Sequence, residues 1–219
     1  MTAARTRPSA ILFDWDNTLV DTWSVIHDAM AHVLEAFDMA PWTMDEIKTR
    51  VRKSMRDSFP ELFGDDWEKA GEIFLKRFQV IHKDRLTVIE GVVELLETLR
   101  DLDIPLGIVS NKTGSFLREE ISHLGWEDFF NAAVGAADAE RDKPDPIVID
   151  HALKGTGVQP SSAVWVVGDS NIDLECAHNA GCTPVLLREK APGEQEFGNY
   201  GPKEYFPTCY SFCNFVQNL

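Results

Sequence analysis

The residues that decide the fold are Ser9–Thr18, which read SAILFDWDNT. Within them, Ser9–Phe13 is apolar after its first residue, and Asp14 and Asp16 follow at once. A short apolar run without alternation is typical of a strand that is buried on both faces of a parallel sheet. We therefore predict a buried first strand over Ser9–Phe13 that carries the two aspartates at its carboxyl end.

Similar apolar runs, separated by helical patterns, follow along the chain. The further predicted strands are Pro105–Val109, Ala132–Gly135, Ala163–Val167 and Thr183–Leu187. The predicted helices, with apolar residues at three-and-four spacing, are Val92–Leu102, Gly114–Leu124, Pro144–Leu153 and Leu174–Ala180. A last strand and helix are expected within Tyr205–Phe215. Strands that alternate with helices predict an α/β fold, with a Rossmann-like, doubly wound parallel sheet.

Residues 20–88 interrupt this alternation, because they contain no convincing strand. Helical periodicity instead covers Thr22–Phe37, Met44–Met55 and Trp67–Ile81. We predict that residues 20–88, called the helical insertion below, form a second, all-helical unit. The unit that contains the sheet would then comprise residues 1–19 and 89–219.

The charge of the chain bears on its partners. Its 36 acidic residues outnumber 21 lysines and arginines, which gives a formal net charge of −15. Such a field repels nucleic acids and anionic membranes, so we expect neither as a partner. No apolar run approaches the roughly 20 residues needed to cross a bilayer. The start MTAARTRPSA also lacks the apolar region of a secretory signal, which favours a cytoplasmic protein.

The cysteines argue against a zinc site and against a disulfide framework. They lack a CxxC pair and a matching histidine spacing. Their positions are Cys176, Cys182, Cys209 and Cys213. We expect reduced, partly buried thiols.

Polar residues follow the predicted strands at four distant places in the chain. Asp14, Ser110, Lys143 and Asp169 each stand after a strand or in a loop beside one. Ligands of open α/β sheets bind at the carboxyl ends of the strands. We therefore expect these four side chains to meet at one edge of the sheet.

The residue types gathered there suit phosphoryl transfer with a magnesium ion. Crowded carboxylates repel one another unless a proton or a cation lies between them. Oxygen ligands without nitrogen or sulfur partners select Mg²⁺ over zinc. A carboxylate such as Asp14, beside Mg²⁺ and Lys143, can attack phosphorus and form an acyl phosphate that water then cleaves. Asp16 has the position to protonate the leaving alcohol and later to deprotonate the water.

Four motifs carry a resemblance to a known family. They are DWDNT at Asp14–Thr18, GIVSN at Gly107–Asn111, KPDP at Lys143–Pro146 and GDSNID at Gly168–Asp173. In this order and spacing the sequence resembles the haloacid-dehalogenase superfamily, in its phosphoglycolate-phosphatase-like branch. The resemblance extends from Ile11 to Leu187.

The resemblance implies a nucleophile, an acid and a metal site. Asp14 would be the nucleophile and a ligand of Mg²⁺, and Asp169 would be a second ligand. Asp16 would be the general acid and base, with its backbone carbonyl on the metal. The helical insertion would be a cap of the family's first type, which closes over the site and excludes water.

The resemblance also implies groups that bind the substrate or support the site. Ser110 and Lys143 would bind the transferring phosphoryl group, and Asn111 would donate to the phosphate or the leaving group. Asp173 would orient either metal-bound waters or Lys143. Thr18 would buttress the loop.

Several activities share these features. A sugar phosphomutase of the same branch shares all four motifs and stays open beside a phosphatase. A dehalogenase would not need an acid two residues after its nucleophile, and a phosphonatase lacks the second aspartate, so Asp16 argues against both. A non-catalytic phosphate-binding regulatory protein is disfavoured by the intact set of residues. We expect a small phosphorylated metabolite as substrate, with phosphoglycolate, sugar phosphates and nucleotide monophosphates all open, and a monomer or homodimer.

The segment Lys48–Arg56, KTRVRKSMR, is the most basic part of the chain. In a continuous helix Lys48, Arg52 and Arg56 would share one face. That face could be solvated, or it could attract an anionic substrate. Trp15, beside the predicted nucleophile, could likewise contact substrate or pack beneath the loop.

Overall fold

A computed structural model of the protein describes residues 6–219. Its strands are β1 Ala10–Phe13, β2 Val20–Asp21, β3 Thr87–Val88, β4 Leu106–Thr113, β5 Ala132–Ala136, β6 Val164–Gly168, β7 Thr183–Leu187 and β8 Glu204–Phe206. Six of them form one parallel sheet in the order β5-β4-β1-β6-β7-β8. The predicted fold class, an α/β fold with a doubly wound parallel sheet, is confirmed.

The helices connect and flank these strands. They are α1 Trp23–Ala36, α2 Met44–Arg50, α3 Met55–Phe63, α4 Trp67–Ile81, α5 Val92–Asp101, α6 Gly114–Leu124, α7 Ile147–Leu153, α8 Asn171–Asn179 and α9 Cys209–Gln217. Within residues 6–219, none of them combines the length and the apolar character that crossing a bilayer requires.

Strand β1 is apolar throughout because helices cover both faces of the sheet. Ile11 and Phe13 point into one hydrophobic cluster with α5, α6 and α9. Ala10 and Leu12 point into a second cluster with α7 and α8. Successive side chains of a strand face opposite sides, so a strand covered on both sides must be apolar at every position. Strand β1 also lies in the interior of the sheet, between β4 and β6.

Strand β4 extends beyond its predicted end at Val109. It continues through Ser110 and Asn111 to Thr113, with a register shift against β5 between Val109 and Thr113. The apolar pattern stops at Val109 because the following side chains face polar partners at the end of the sheet. The extension carries Ser110 and Lys112 into buried positions.

Helices α1 to α4 lie between β2 and β3. They share a hydrophobic cluster of their own, to which α6 contributes Phe116. The antiparallel pairs Val20↔Val88 and Asp21↔Thr87 join the two ends of this segment. Two-residue strands have no detectable period, so the sequence did not predict them. The division into residues 1–19 with 89–219 and residues 20–88 stays a prediction.

The predicted helix over Met44–Met55 is wrong beyond Arg50, where α2 ends. Residues 51–54 are not helical, and Ser54 adopts an extended backbone as the residue before α3. The prediction that Lys48, Arg52 and Arg56 share one helix face is therefore also wrong. Each of the two arginines lies on a different element from Lys48 and reaches its own carboxylate, as described below.

Candidate active site

The predicted site residues lie at the carboxyl edge of the sheet or in the turns just beyond it. They are Asp14, Asp16 and Thr18 after β1, Ser110 and Asn111 in β4, Lys143 before α7, Asp169 after β6, and Asp173 in the first turn of α8. These segments converge because the strands are parallel and β1 lies between β4 and β6.

Lys143 is the buried centre of the site. Its Nζ lies 2.8 Å from Oδ1 of Asp14 and 2.6 Å from Oδ1 of Asp173. The other oxygen of Asp173 accepts hydrogen bonds from the backbone N–H and the hydroxyl of Ser170. Burial alone would lower the pKa of Lys143, but Asp14 and Asp173 outweigh it and raise the pKa. Of the two roles predicted for Asp173, the geometry favours orientation of Lys143.

Three carboxylates form the acidic cluster, defined as Asp14, Asp169 and Asp173. One oxygen from each lies within 4.8 Å of the other two. Burial raises the pKa of Asp14 to about 8, with Lys143 opposing this and the neighbouring carboxylates adding to it. Acids this crowded and this buried cannot all ionise without a compensating cation.

The acidic cluster fits the predicted magnesium ion. Burial raises the pKa of Asp169 to about 7, with Asp173 adding to this and Arg52 opposing it. The cluster offers carboxylate oxygens only, which is the ligand chemistry that Mg²⁺ prefers. The side chain of Asp16 does not belong to the cluster, which is compatible with the predicted coordination through its backbone carbonyl.

The carboxylate of Asp16 is held by two partners that lie outside the four motifs. Its Oδ1 lies 2.7 Å from Nζ of Lys112 and accepts a hydrogen bond of 2.7 Å from the hydroxyl of Thr22. Burial alone would lower the pKa of Lys112, but Asp16 and Glu120 outweigh it and raise the pKa. Lys112 therefore stays charged beside the predicted general acid.

Glu120 is the second carboxylate that contacts Lys112. This glutamate is fully buried, and its carboxylate receives Lys112 Nζ at 2.5 Å, Trp15 Nε1 at 2.6 Å and His82 Nδ1 at 2.9 Å. The ring of Trp15 is also buried and packs edge-on against Trp126. Of the two interpretations of Trp15, packing beneath the loop is the one that these contacts support.

One signal in the sequence could have revealed this network. Glu120 falls on the face of α6 that carries Phe116, Leu117 and Ile121, so a carboxylate stands among apolar positions. A charged residue on a buried helix face needs a charged or hydrogen-bonding partner. Nothing in the sequence identifies Lys112 as that partner, because the two meet only once β4 and α6 are packed together.

Ser110 and Asn111 differ in their availability to a substrate. Ser110 is buried, and its hydroxyl oxygen accepts a hydrogen bond from the backbone N–H of Lys112. The amide nitrogen of Asn111 donates to the backbone carbonyls of Arg52 and Lys143, and its oxygen accepts from the N–H of Lys143. Asn111 thus ties β4 to the loop that carries Lys143, and a bond to phosphate would compete with these contacts.

Thr18 is buried in the turn after β1, but its hydroxyl has no hydrogen-bond partner. Asn17 adopts a left-handed backbone there, with φ of 64°, and its side chain accepts from the N–H of Thr22. Thr18 therefore supports the turn by packing.

Two basic residues of the helical insertion contact residues 89–219, which with residues 1–19 are called the sheet unit below. Arg52 Nη1 lies 3.2 Å from Oδ2 of Asp169 in the acidic cluster. Arg56 makes a two-pronged contact of 2.6 and 2.5 Å with the buried carboxylate of Asp142. Lys48 is exposed and lies 5.9 Å from the ring of Trp23. A solvated face therefore describes Lys48 but not the two arginines.

Comparison with known proteins agrees with this geometry. The family model of the haloacid dehalogenase-like hydrolases matches residues 11–187. A phosphoglycolate phosphatase from Chromobacterium violaceum is 30% identical over 187 residues, which cover 81% of this chain and 84% of that protein. The pyrophosphatase PpaX from Bacillus velezensis is 27% identical over 196 residues, covering 90% of each.

A solved structure supports the same family. A HAD-superfamily hydrolase from Ehrlichia chaffeensis covers 99% of both chains with 28% identity and a TM-score of 0.68. The resemblance drawn from the four motifs is thus confirmed along most of the sequence. The chain belongs to the haloacid dehalogenase-like hydrolase family.

Proposed function

We propose that this hydrolase is a magnesium-dependent phosphatase that cleaves a small phosphate monoester through an aspartyl-phosphate on Asp14. The observation that carries the proposal is the contact of 2.8 Å between Lys143 Nζ and the Asp14 carboxylate, within the acidic cluster. A nucleophilic carboxylate beside a fixed cation suits attack on an anionic phosphate. The names of the two relatives, a phosphoglycolate phosphatase and a pyrophosphatase, support hydrolysis at phosphorus.

The reaction has two displacements at phosphorus. A carboxylate oxygen of Asp14 attacks the phosphorus, the bond to the ester oxygen breaks, and Asp16 gives its proton to that oxygen. Water then attacks the phosphorus of the aspartyl-phosphate and passes a proton to Asp16. Asp14 leaves as a carboxylate, and inorganic phosphate is released.

The chain positions the charges for both steps. Lys143 and Ser110 bind the equatorial oxygens of the phosphoryl group, and Asp173 keeps Lys143 in place. Asp14, Asp169 and the backbone carbonyl of Asp16 would hold Mg²⁺. The ion, when bound, would neutralise phosphate charge and allow the crowded carboxylates to ionise.

The helical insertion, residues 20–88, acts in this proposal as a cap over the site. The contacts of Arg52 with Asp169 and of Arg56 with Asp142 fasten it to the sheet unit. A docked cap keeps water away from the first displacement. A cytoplasmic location and a monomeric or homodimeric state stay predictions.

The proposal predicts phosphate release from p-nitrophenyl phosphate that needs both Mg²⁺ and Asp14. We expect EDTA to abolish turnover and Asp14→Asn to eliminate it, because the amide cannot attack phosphorus. Asp150→Asn, at an exposed position on α7, is the matched control and should keep wild-type activity. Turnover that survives Asp14→Asn would disprove the nucleophile. A requirement for a sugar bisphosphate would indicate the phosphomutase alternative.

A further inference from the structure

A single cavity joins the acidic cluster to the interior of the helical insertion. Its volume is about 120 Å³, several times the roughly 10–15 Å³ that one water molecule requires. The wall opposite the acidic cluster is mostly apolar. Its main side chains are Trp23, Met30, Met55, Phe59, Phe74 and Phe78.

The apolar wall is continuous and well packed. The ring of Phe74 lies 5.8 Å from the ring of Phe59 and 5.8 Å from the ring of Phe78. Phe78 in turn lies 5.3 Å from Phe116 of α6, so the wall runs from the helical insertion onto the sheet unit. Phe59 and Phe78 are buried. The cavity is therefore part of a docked arrangement and does not arise from separated halves.

The apolar wall begins beside the proposed general acid. Nζ of Lys112 lies 5.2 Å from the centre of the Phe78 ring and 2.7 Å from the carboxylate of Asp16. In the proposed reaction Asp16 protonates the leaving oxygen. Asp16, Phe74 and Phe78 line the same cavity, so the rings of Phe74 and Phe78 are available to the group attached to that oxygen.

The charged residues that line the cavity have partners within the protein. Lys143 contacts Asp14 and Asp173, and Lys112 contacts Asp16 and Glu120. The remaining two pairs are Arg52 with Asp169 and Lys53 with Glu61. A second anionic group on the substrate, such as the carboxylate of phosphoglycolate, would lose its hydration against aromatic rings and would have to compete with these carboxylates for a cation.

We propose that the physiological substrate is the phosphate monoester of an uncharged, apolar alcohol, whose alkyl or aryl group packs against Phe59, Phe74 and Phe78. The proposal rests on the phosphatase function and specifies its leaving group. Binding energy gained by that group along the wall lowers the barrier to transfer only when the phosphorus is placed at Asp14.

A homologous series of esters tests the leaving group directly. Ethyl, butyl and hexyl phosphate have leaving groups of similar basicity, so their kcat/KM values with Mg²⁺ report contact with the wall. We expect each methylene that the cavity buries to raise kcat/KM roughly threefold, or about tenfold from ethyl to butyl phosphate. Phosphoglycolate and pyrophosphate should be poorer substrates than hexyl phosphate. Equal kcat/KM along the series, or a preference for phosphoglycolate or pyrophosphate over hexyl phosphate, would overturn the proposal.

A matched pair of variants locates the effect. Phe74 and Phe63 are both partly buried in the same hydrophobic cluster and both contact Phe59, but only Phe74 lines the cavity. Phe74→Ala should lower the ratio of kcat/KM for hexyl over ethyl phosphate about fivefold or more. Phe63→Ala should leave this ratio unchanged. The ratio cancels any loss of folded enzyme, so an unchanged ratio in Phe74→Ala would also count against the proposal.

The same assays distinguish an error in the proposed leaving group from an error in the proposed phosphatase function. Hydrolysis of p-nitrophenyl phosphate that depends on Asp14, together with no gain from longer alkyl groups, would overturn the apolar leaving group alone. No hydrolysis of any ester by folded, Mg²⁺-supplied protein would overturn both.

Discussion

At the scale of single residues, the contact of Lys112 with Asp16 bears most directly on the proposed acid catalysis. The lysine is held between Asp16 and the buried Glu120, which fixes its ammonium group on both sides. A charge placed in this way orients the Asp16 carboxylate. Lys112 is thus a positioning residue in the proposed reaction.

Lys112→Met should impair the acid step selectively. We expect kcat for ethyl phosphate to fall about tenfold or more, since general acid catalysis contributes roughly 10²–10⁴-fold. The loss should be much smaller for p-nitrophenyl phosphate, whose leaving group needs little protonation. Lys53→Met is the control, because Lys53 lines the cavity but pairs with the exposed Glu61. An equal loss for both substrates would mean that Lys112 acts on the fold instead.

At the scale of elements, the break between α2 and α3 lets the helical insertion reach the sheet unit at two points. Arg52 leaves the helical path and meets Asp169, while Arg56 starts the next helix and meets Asp142. Because residues 51–54 are not helical, Arg52 and Arg56 do not share one helix face, and each contacts a different carboxylate. The non-helical residues 51–54 thus carry one of the two contacts, through Arg52, and lead into the helix that carries the other.

Arg56→Met should destabilise the protein by about 1–3 kcal/mol, because the fully buried Asp142 carboxylate loses its charged partner. Lys48→Met, at an exposed site in α2, should change stability by no more than about 0.5 kcal/mol. Urea unfolding of both variants, compared with the wild type, measures the difference. Similar effects of the two substitutions would show that the Arg56 contact does not hold the insertion in place.

Most strand ends were predictable to within one or two residues, because a strand that is buried on both faces consists of consecutive apolar residues. Thr183–Leu187 matches β7, and Ala163–Val167 differs from β6 by one residue at each end. The end of β4 was not predictable, since its last residues are polar and are stabilised by contacts with distant parts of the chain. The end of α2 at Arg50 was not predictable for the same reason. The residues that follow it contact Asp169 and Asp142, which are distant in the sequence.

The site was predictable where its residues follow strands, and unpredictable where they meet across elements. Asp14, Lys143 and Asp169 follow from the topology of a parallel sheet. The bonds of Asp16 to Lys112 and Thr22 depend on how β4 and the start of α1 pack around the loop. No local pattern encodes such contacts.

At the scale of the whole molecule, the raised pKa values in the acidic cluster predict that stability depends on pH. The pKa of Asp14 is about 8 in the folded, metal-free protein and about 4 in an unfolded chain. Between these values the folded state keeps a proton that the unfolded state has released, so this contribution favours folding at low pH and is lost as the pH rises through about 8. Asp169, with a pKa of about 7, acts in the same direction.

In EDTA, the melting temperature of the wild type should therefore fall relative to that of Asp14→Asn between pH 5 and pH 8. Asp150→Asn should follow the wild type at both values. Addition of Mg²⁺ at pH 8 should raise the melting temperature of the wild type more than that of Asp14→Asn, because the ion binds the ionised carboxylates. A constant difference between wild type and Asp14→Asn at both pH values would contradict the raised pKa of Asp14.

The short pairing of Val20 with Val88 has a consequence for how such an enzyme diversifies. The two ends of the intervening chain are therefore adjacent, whatever the length of the chain between them. Closing a longer or shorter stretch between two adjacent ends changes the entropy cost only slowly. If the helical insertion sets specificity as proposed, a chimera that exchanges the chain between Val20 and Val88 should leave the ends of that chain in their present pairing.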